Sequence, residues 1–184
     1  MTPESLLDHA DHGRLWSHDP DLDVAAAYQL ALQVRALRCA RGEQPRGFKI
    51  GFTNRSIWPR YNVYAPIWGT VWDHTLSFCD GEGVISLART CQPRIEPEVV
   101  FGLGSTPPPG ATLDQLFEAL DWIAPGFEVV QSHQADWKFE AAHTVADSGL
   151  HARLLVGQRL GERSLAPAAT ALDARLGASQ ARLS

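Results

Sequence analysis

Two glutamates, Glu96 and Glu98, stand two residues apart in the stretch Pro93-Arg94-Ile95-Glu96-Pro97-Glu98-Val99-Val100-Phe101. In an extended segment they project to the same side, while Ile95, Pro97 and Val99 face the other way. Two carboxylates held close repel each other, and one is pushed toward protonation. A hard cation removes that conflict. Mg²⁺ and Mn²⁺ take oxygen ligands and keep several waters. A third carboxylate, Glu128, lies in the strand-like run Gly126-Phe127-Glu128-Val129-Val130. Three such ligands would leave about three positions on an octahedral ion for a chelating substrate. The same Glu-x-Glu spacing also occurs on solvated sheet faces, and Pro97 cannot donate to a ladder. Spacing alone leaves both readings open.

Two lysines raise a similar choice. Lys49 sits in Gly47-Phe48-Lys49-Ile50-Gly51, where a strand would put Phe48 and Ile50 on one face and Lys49 on the other. Flanking glycines would let it approach a ligand closely, although a surface lysine fits the same pattern. Lys138, in Asp136-Trp137-Lys138-Phe139, has the same two readings. His133, Asp136 and Asp147 are either supports for the ligands or polar loop groups.

Rival chemistries find little footing. His9 and His12 fall in an N-terminus read as loose, and no HExxH spacing links the histidines. Gly102-Leu103-Gly104-Ser105 is neither a nucleophile elbow nor a dinucleotide fingerprint, since prolines follow it. Cys39, Cys79 and Cys91 form no CxxC pair, and their odd number gives no disulfide framework. The net charge of −5 comes without a basic run, which argues against nucleic acid as a partner. No apolar run approaches a membrane span and the N-terminus has no signal-peptide pattern, so a cytoplasmic location is expected.

The elements that must position these groups can be read from periodicity. With 184 residues and 45% hydrophobic content, the chain is expected to be a single α+β domain, 1–184. It would have an N-terminal helical segment, 1–45, and a β-rich core, 46–184. Asp19-Pro20 and a stripe of Leu22, Ala26, Leu30, Val34 and Leu37 predict a helix from there to about Arg41. Short strands are predicted at Gly47–Phe52, after an aromatic-rich stretch 54–72 read as loop, up to Leu103, at Phe127–Ser132 and at Leu150–Gly157. Thr112 and Gln115 form a capping box for a second helix, expected to run on to Pro125-Gly126. A last helix is predicted over 167–177.

Taken in order, GFKIGFTN, PRIEPEVVFGLG, GFEVVQSHQADWKF and TVADSG resemble the 2-keto-4-pentenoate hydratase and 4-oxalocrotonate decarboxylase family of the fumarylacetoacetate hydrolase superfamily. The resemblance covers roughly residues 20 to 160. It implies a mixed, β-rich fold, incomplete here at its C-terminal part. It also implies a divalent metal, Mg²⁺ or Mn²⁺, on Glu96, Glu98 and Glu128, with Lys49 and Lys138 as catalytic lysines. The implied activity is that of a lyase of aromatic-compound catabolism, a hydratase adding water to an unsaturated 2-oxo acid such as 2-oxopent-4-enoate. Decarboxylation of a 2-oxo dicarboxylic acid, acylpyruvate hydrolysis, and a non-catalytic accessory subunit are the alternatives. A homo-oligomer, or a complex with a related subunit, is the implied assembly. Where the family often reads Asp-Ser-Arg after the third glutamate, this chain has Gln131-Ser132-His133, and the usual Ala-Asp-Asn is Ala146-Asp147-Ser148.

Overall fold

The computed structural model describes residues 1–161 and 168–178. The N-terminus, expected to be loose, is a helix, α1 (Pro3–His12). The Thr2 hydroxyl accepts from the Ser5 N–H at 3.2 Å, and Gly13 closes the helix in the left-handed region at φ 59°. Helix α2 (Val24–Ala40) starts later than expected. Its cap is Asp23, whose carboxylate accepts from the Ala26 N–H at 2.7 Å, and Ala27 rather than Ala26 joins Leu30 and Val34 in the core.

Strands β1 (Pro45–Gly51) and β2 (Ile67–Trp72) pair antiparallel, with Lys49 opposite Gly69. The aromatic-rich loop between them holds a 3₁₀ turn and the short helix α3 (Trp58–Tyr61). The second sheet has β3 (Leu76–Phe78), β4 (Arg94–Leu103), β5 (Leu120–Val130) and β6 (His151–Val156) in the order β3-β6-β5-β4. The two-residue β7 (Leu160–Gly161) pairs antiparallel with β5.

Helix α4 (Leu113–Ala119) has the reciprocal Thr112/Gln115 cap but stops six residues before Pro125. Trp122 and Ile123 belong to β5, opposite Gly161 and Leu160. Pro125 disfavours helical geometry at the residue before it, and strand pairing carries the extended backbone back to Leu120. All six residues of α5 (Ala141–Ala146) are buried. A final helix, α6, covers Ala169–Gly177; Pro167, where it was expected to begin, lies outside the described residues.

The chain divides into two compact units. One comprises Met1–Ser77, Val84–Glu96 and Glu128–Leu154. Its core joins Leu6, Ala27, Leu30 and Val34 to Ile67, Ala142, Val145 and Ala146. The other takes Phe78–Gly83, Pro97–Phe127 and the described residues from Leu155 on. Ile123 and Leu172 are its buried centre, with Phe117 and Leu120 against them. Within it, a Cβ on Gly102 would stand 2.0 Å from the Trp122 ring, so that crossing requires glycine.

Candidate metal centre

The alternation of β4 sorts its side chains as the sequence suggested. Ile95, Val99, Phe101 and Leu103 are exposed on one side, while Glu98, Val100 and Gly102 are more buried on the other. Glu96 shares the glutamate side and is exposed. Glu128 comes from the neighbouring strand β5 and is only 2% exposed. One carboxylate oxygen from each of Glu96, Glu98 and Glu128 lies within 4.8 Å of the other two. The three glutamates singled out from spacing therefore converge.

Glu128 is the most constrained of the three. His151 Nδ1 donates to its Oε1 at 2.7 Å, and Lys49 Nζ lies 2.9 Å from Oε2. The lysine approaches Oε2 off the hydrogen-bond direction, so this buried oxygen keeps an ion-pair partner without an aligned donor. Burial raises the Glu128 pKa; the His151 hydrogen bond and the Lys49 charge outweigh it and hold the carboxyl below its usual range. Burial drives His151 the opposite way, toward the neutral ring, and the Glu128 bond only partly offsets that. The His151 Nε2 reaches the Thr75 hydroxyl at 2.8 Å, which ties the ring to the turn after β2.

The path of Lys49 to Glu128 depends on missing side chains. A Cβ on Gly69, its partner in the β1–β2 ladder, would meet the Ser148 carbonyl oxygen at 2.0 Å. Gly149 has φ 66°, and a Cβ there would press on Lys49 Cδ at 3.1 Å. Lys138 stands elsewhere: its side chain is 81% exposed and pairs with Asp136 at 3.4 Å, not with the acidic cluster.

The two unusual residues after Glu128 are buried and engaged. The Gln131 side chain accepts from the Cys91 N–H at 3.0 Å and donates to the His151 carbonyl at 3.4 Å, uses that need both ends of an amide. His133 Nδ1 and its backbone N–H both donate to Asp147, at 2.6 and 3.0 Å. The Trp16 ring stacks on His133, and the Trp16 N–H donates to the His133 carbonyl at 2.8 Å. His151 escaped the reading of the sequence. Nothing in Leu150-His151-Ala152 marks it, and only the β5–β6 pairing brings it to Glu128.

An ionised, buried carboxylate with one oxygen lacking an aligned donor, beside two further carboxylates, fits a hard divalent cation. The α+β fold and this acidic cluster together define a scaffold with a candidate metal-binding site. Comparison narrows it. A 162-residue stretch is 35% identical to 2-hydroxyhexa-2,4-dienoate hydratase of Comamonas testosteroni, covering 86% of this chain and 61% of that protein. A 166-residue stretch is 30% identical to 4-oxalocrotonate decarboxylase of Pseudomonas sp. (strain CF600), covering 85% and 62%. Among solved structures, 4-oxalocrotonate decarboxylase from Pseudomonas putida G7, complexed with magnesium and adipate, superposes with a TM-score of 0.72 at 25% identity. That match covers 89% of this chain and 66% of the other. No protein-family model matches the chain. These likenesses place the chain in the hydratase and decarboxylase family of the fumarylacetoacetate hydrolase superfamily. The chain spans about three fifths of the length of these two curated relatives.

Proposed function

We propose that the chain carries the metal platform of a hydratase that adds water to a small unsaturated 2-oxo acid such as 2-oxopent-4-enoate. The convergence of Glu96, Glu98 and Glu128 within 4.8 Å carries the reading. These residues would hold Mg²⁺ or Mn²⁺, which supplies Lewis-acid polarisation of a chelated 2-oxo group. The relatives' names support the substrate class. The 35% identity to a hydratase, against 30% to a decarboxylase, favours hydration. Decarboxylation of a 2-oxo dicarboxylic acid is the second reading, supported by the decarboxylase whose fold matches.

His151 holds Glu128 through Oε1 and so fixes the plane of its carboxylate. Lys49, held beside Oε2, is the group that turns to the substrate and pairs with its carboxylate or carries a proton, the latter requiring its neutral form. Exposed Lys138 is assigned no step. The free cysteines Cys39, Cys79 and Cys91 are consistent with a cytoplasmic location. Among the described residues, no helix is long and apolar enough to cross a membrane.

The test is calorimetric titration of the 184-residue protein with Mn²⁺, with and without 2-oxopentanoate. One site per chain, tightened by the acid and lost in Glu96→Gln, is the expected result. A folded protein that takes no Mn²⁺, or a Glu96→Gln variant that binds it unchanged, would overturn the assignment and favour a non-catalytic accessory role.

A further inference from the structure

A cavity of about 650 Å³ opens within the first unit, lined by residues from α1, α2, β2, the loop before β4 and the start of β6. None of the three clustered glutamates lines it. Four carboxylates and four guanidinium groups do, and the two sets are not matched.

The carboxylates are already engaged. Asp11 accepts from Arg41 at 2.8 Å. Glu43 accepts from Arg38 at 2.8 Å and also pairs with Arg41. Asp73 accepts from the Gln44 and His74 N–H groups at 3.2 and 2.9 Å. Asp147 accepts both bonds from His133.

The cations are not all satisfied in return. Arg153 donates to the carbonyls of Ala152 and Ala88 at 2.7 and 3.1 Å, and has no carboxylate partner among the described residues. A guanidinium has five N–H donors, so most of its fork is unused. Arg89 has no ion-pair partner among the described residues. Arg38 spends one arm on Glu43, and its buried Nε has no acceptor. Burial first, and the Arg38 charge second, lower the pKa of Arg153, so the two guanidinium groups feel each other. Of these two cations only Arg38 has a carboxylate partner, Glu43, among the described residues, so the charge of Arg153 is left to raise the local positive potential.

We propose that this cavity, bordered by His151 and Thr75 but by none of the three glutamates, is a second ligand site that takes a small metabolite through a carboxylate or phosphate head held by Arg153, Arg38 and Arg89. The planar fork of arginine matches both head groups through paired charge-assisted bonds. Thr70, Thr75 and Ser148 on the same wall add hydroxyls for the rest of the molecule. The volume falls in the range of small-molecule sites, roughly 300–1,000 Å³.

The experiment is calorimetry on the 184-residue protein in EDTA, so that no metal-held chelate forms at the acidic cluster. Succinate and inorganic phosphate serve as separate probes. One site per chain is expected for at least one probe. Tighter succinate binding assigns a carboxylate ligand, and tighter phosphate binding a phosphorylated one. Arg153→Gln should weaken binding about tenfold or more, the loss of a charge-assisted partner, while Glu96→Gln should leave it unchanged. Arg153→Lys should retain part of the affinity, and Arg89→Gln, at an exposed position, gives a second reading should Arg153→Gln not fold. No heat with either probe, or unchanged binding in the folded Arg153→Gln and Arg89→Gln proteins, overturns the proposal. These outcomes are independent of the Mn²⁺ titration, so the two sites stand or fall separately.

Discussion

Lys49 Nζ and Glu128 Oε2 stand 2.9 Å apart in a setting that leaves the lysine side chain 11% exposed and the glutamate 2% exposed. The pair joins β1 of one sheet to β5 of the other. The lysine charge neutralises the most buried member of the acidic cluster.

Lys49→Met tests that neutralisation. Removing one partner of a buried pair leaves the other charge uncompensated, at a cost of about 3–5 kcal/mol. A cation at the cluster would take over the missing charge and stabilise the folded state by mass action. Denaturant unfolding should therefore show a large loss in EDTA and a substantial recovery with Mn²⁺, more than Mn²⁺ gives the unmutated protein. Equal stability of the two proteins in EDTA would mean that Lys49 does not carry Glu128.

The sequence disclosed the three clustered glutamates but not their supports. Glu96 and Glu98 were legible because the period of a strand is two, and that survives whatever the strand packs against. Lys49 was legible as a candidate for the same reason. His151 was not, because its approach to Glu128 is a product of sheet order. The α4–β5 boundary was misread because an apolar helical face and an apolar strand look alike over a few residues; pairing of Trp122 and Ile123 with β7 decides it. The Asp19-Pro20 start signal lost to Asp23, which reaches the Ala26 N–H.

His133 and Asp147 give a pH prediction with a definite sign. Burial lowers the His133 pKa, but the charge and hydrogen bond of Asp147 outweigh it, against the opposing Arg38 charge, and leave it above its ordinary 6.5. A raised folded value means the stabilisation is fully present below about pH 6.5 and is lost as pH rises through the folded value. Urea midpoints measured between about pH 6 and pH 9 should decline. In His133→Gln that part of the slope should disappear. An identical slope in both proteins would remove the pair from the account.

Gln131 joins three segments through one amide, the Cys91 N–H on one side and the His151 carbonyl on the other. An aspartate here could accept but not donate, and its shorter reach would strand one backbone group. Gln131→Asp should lower stability by about 1–3 kcal/mol, the cost of an unsatisfied buried polar group, with an unchanged m-value. A neutral outcome in denaturant titration would show that solvent replaces the lost bond.

Gly69 sets the distance between β2 and the Ser148-Gly149 turn, and through it the route of Lys49. A Cβ at Gly69 would lie 2.0 Å from the Ser148 oxygen, a contact that backbone must move to relieve. Gly69→Ala should therefore cost about 1–3 kcal/mol or more as an overpacked site. It should also push Gly149 against Lys49 Cδ, already 3.1 Å from where a Cβ at Gly149 would stand. The displacement acts on the Lys49–Glu128 pair before it reaches the core formed by α2 and α5. Mn²⁺ affinity should fall further than the helical circular dichroism signal, since Leu30, Val34 and Val145 keep their packing. Gly149→Ala, strained at φ 66° as well as crowded, should reproduce the loss. Intact Mn²⁺ binding in a Gly69→Ala protein of reduced stability would separate the turn from the site and confine Gly69 to packing.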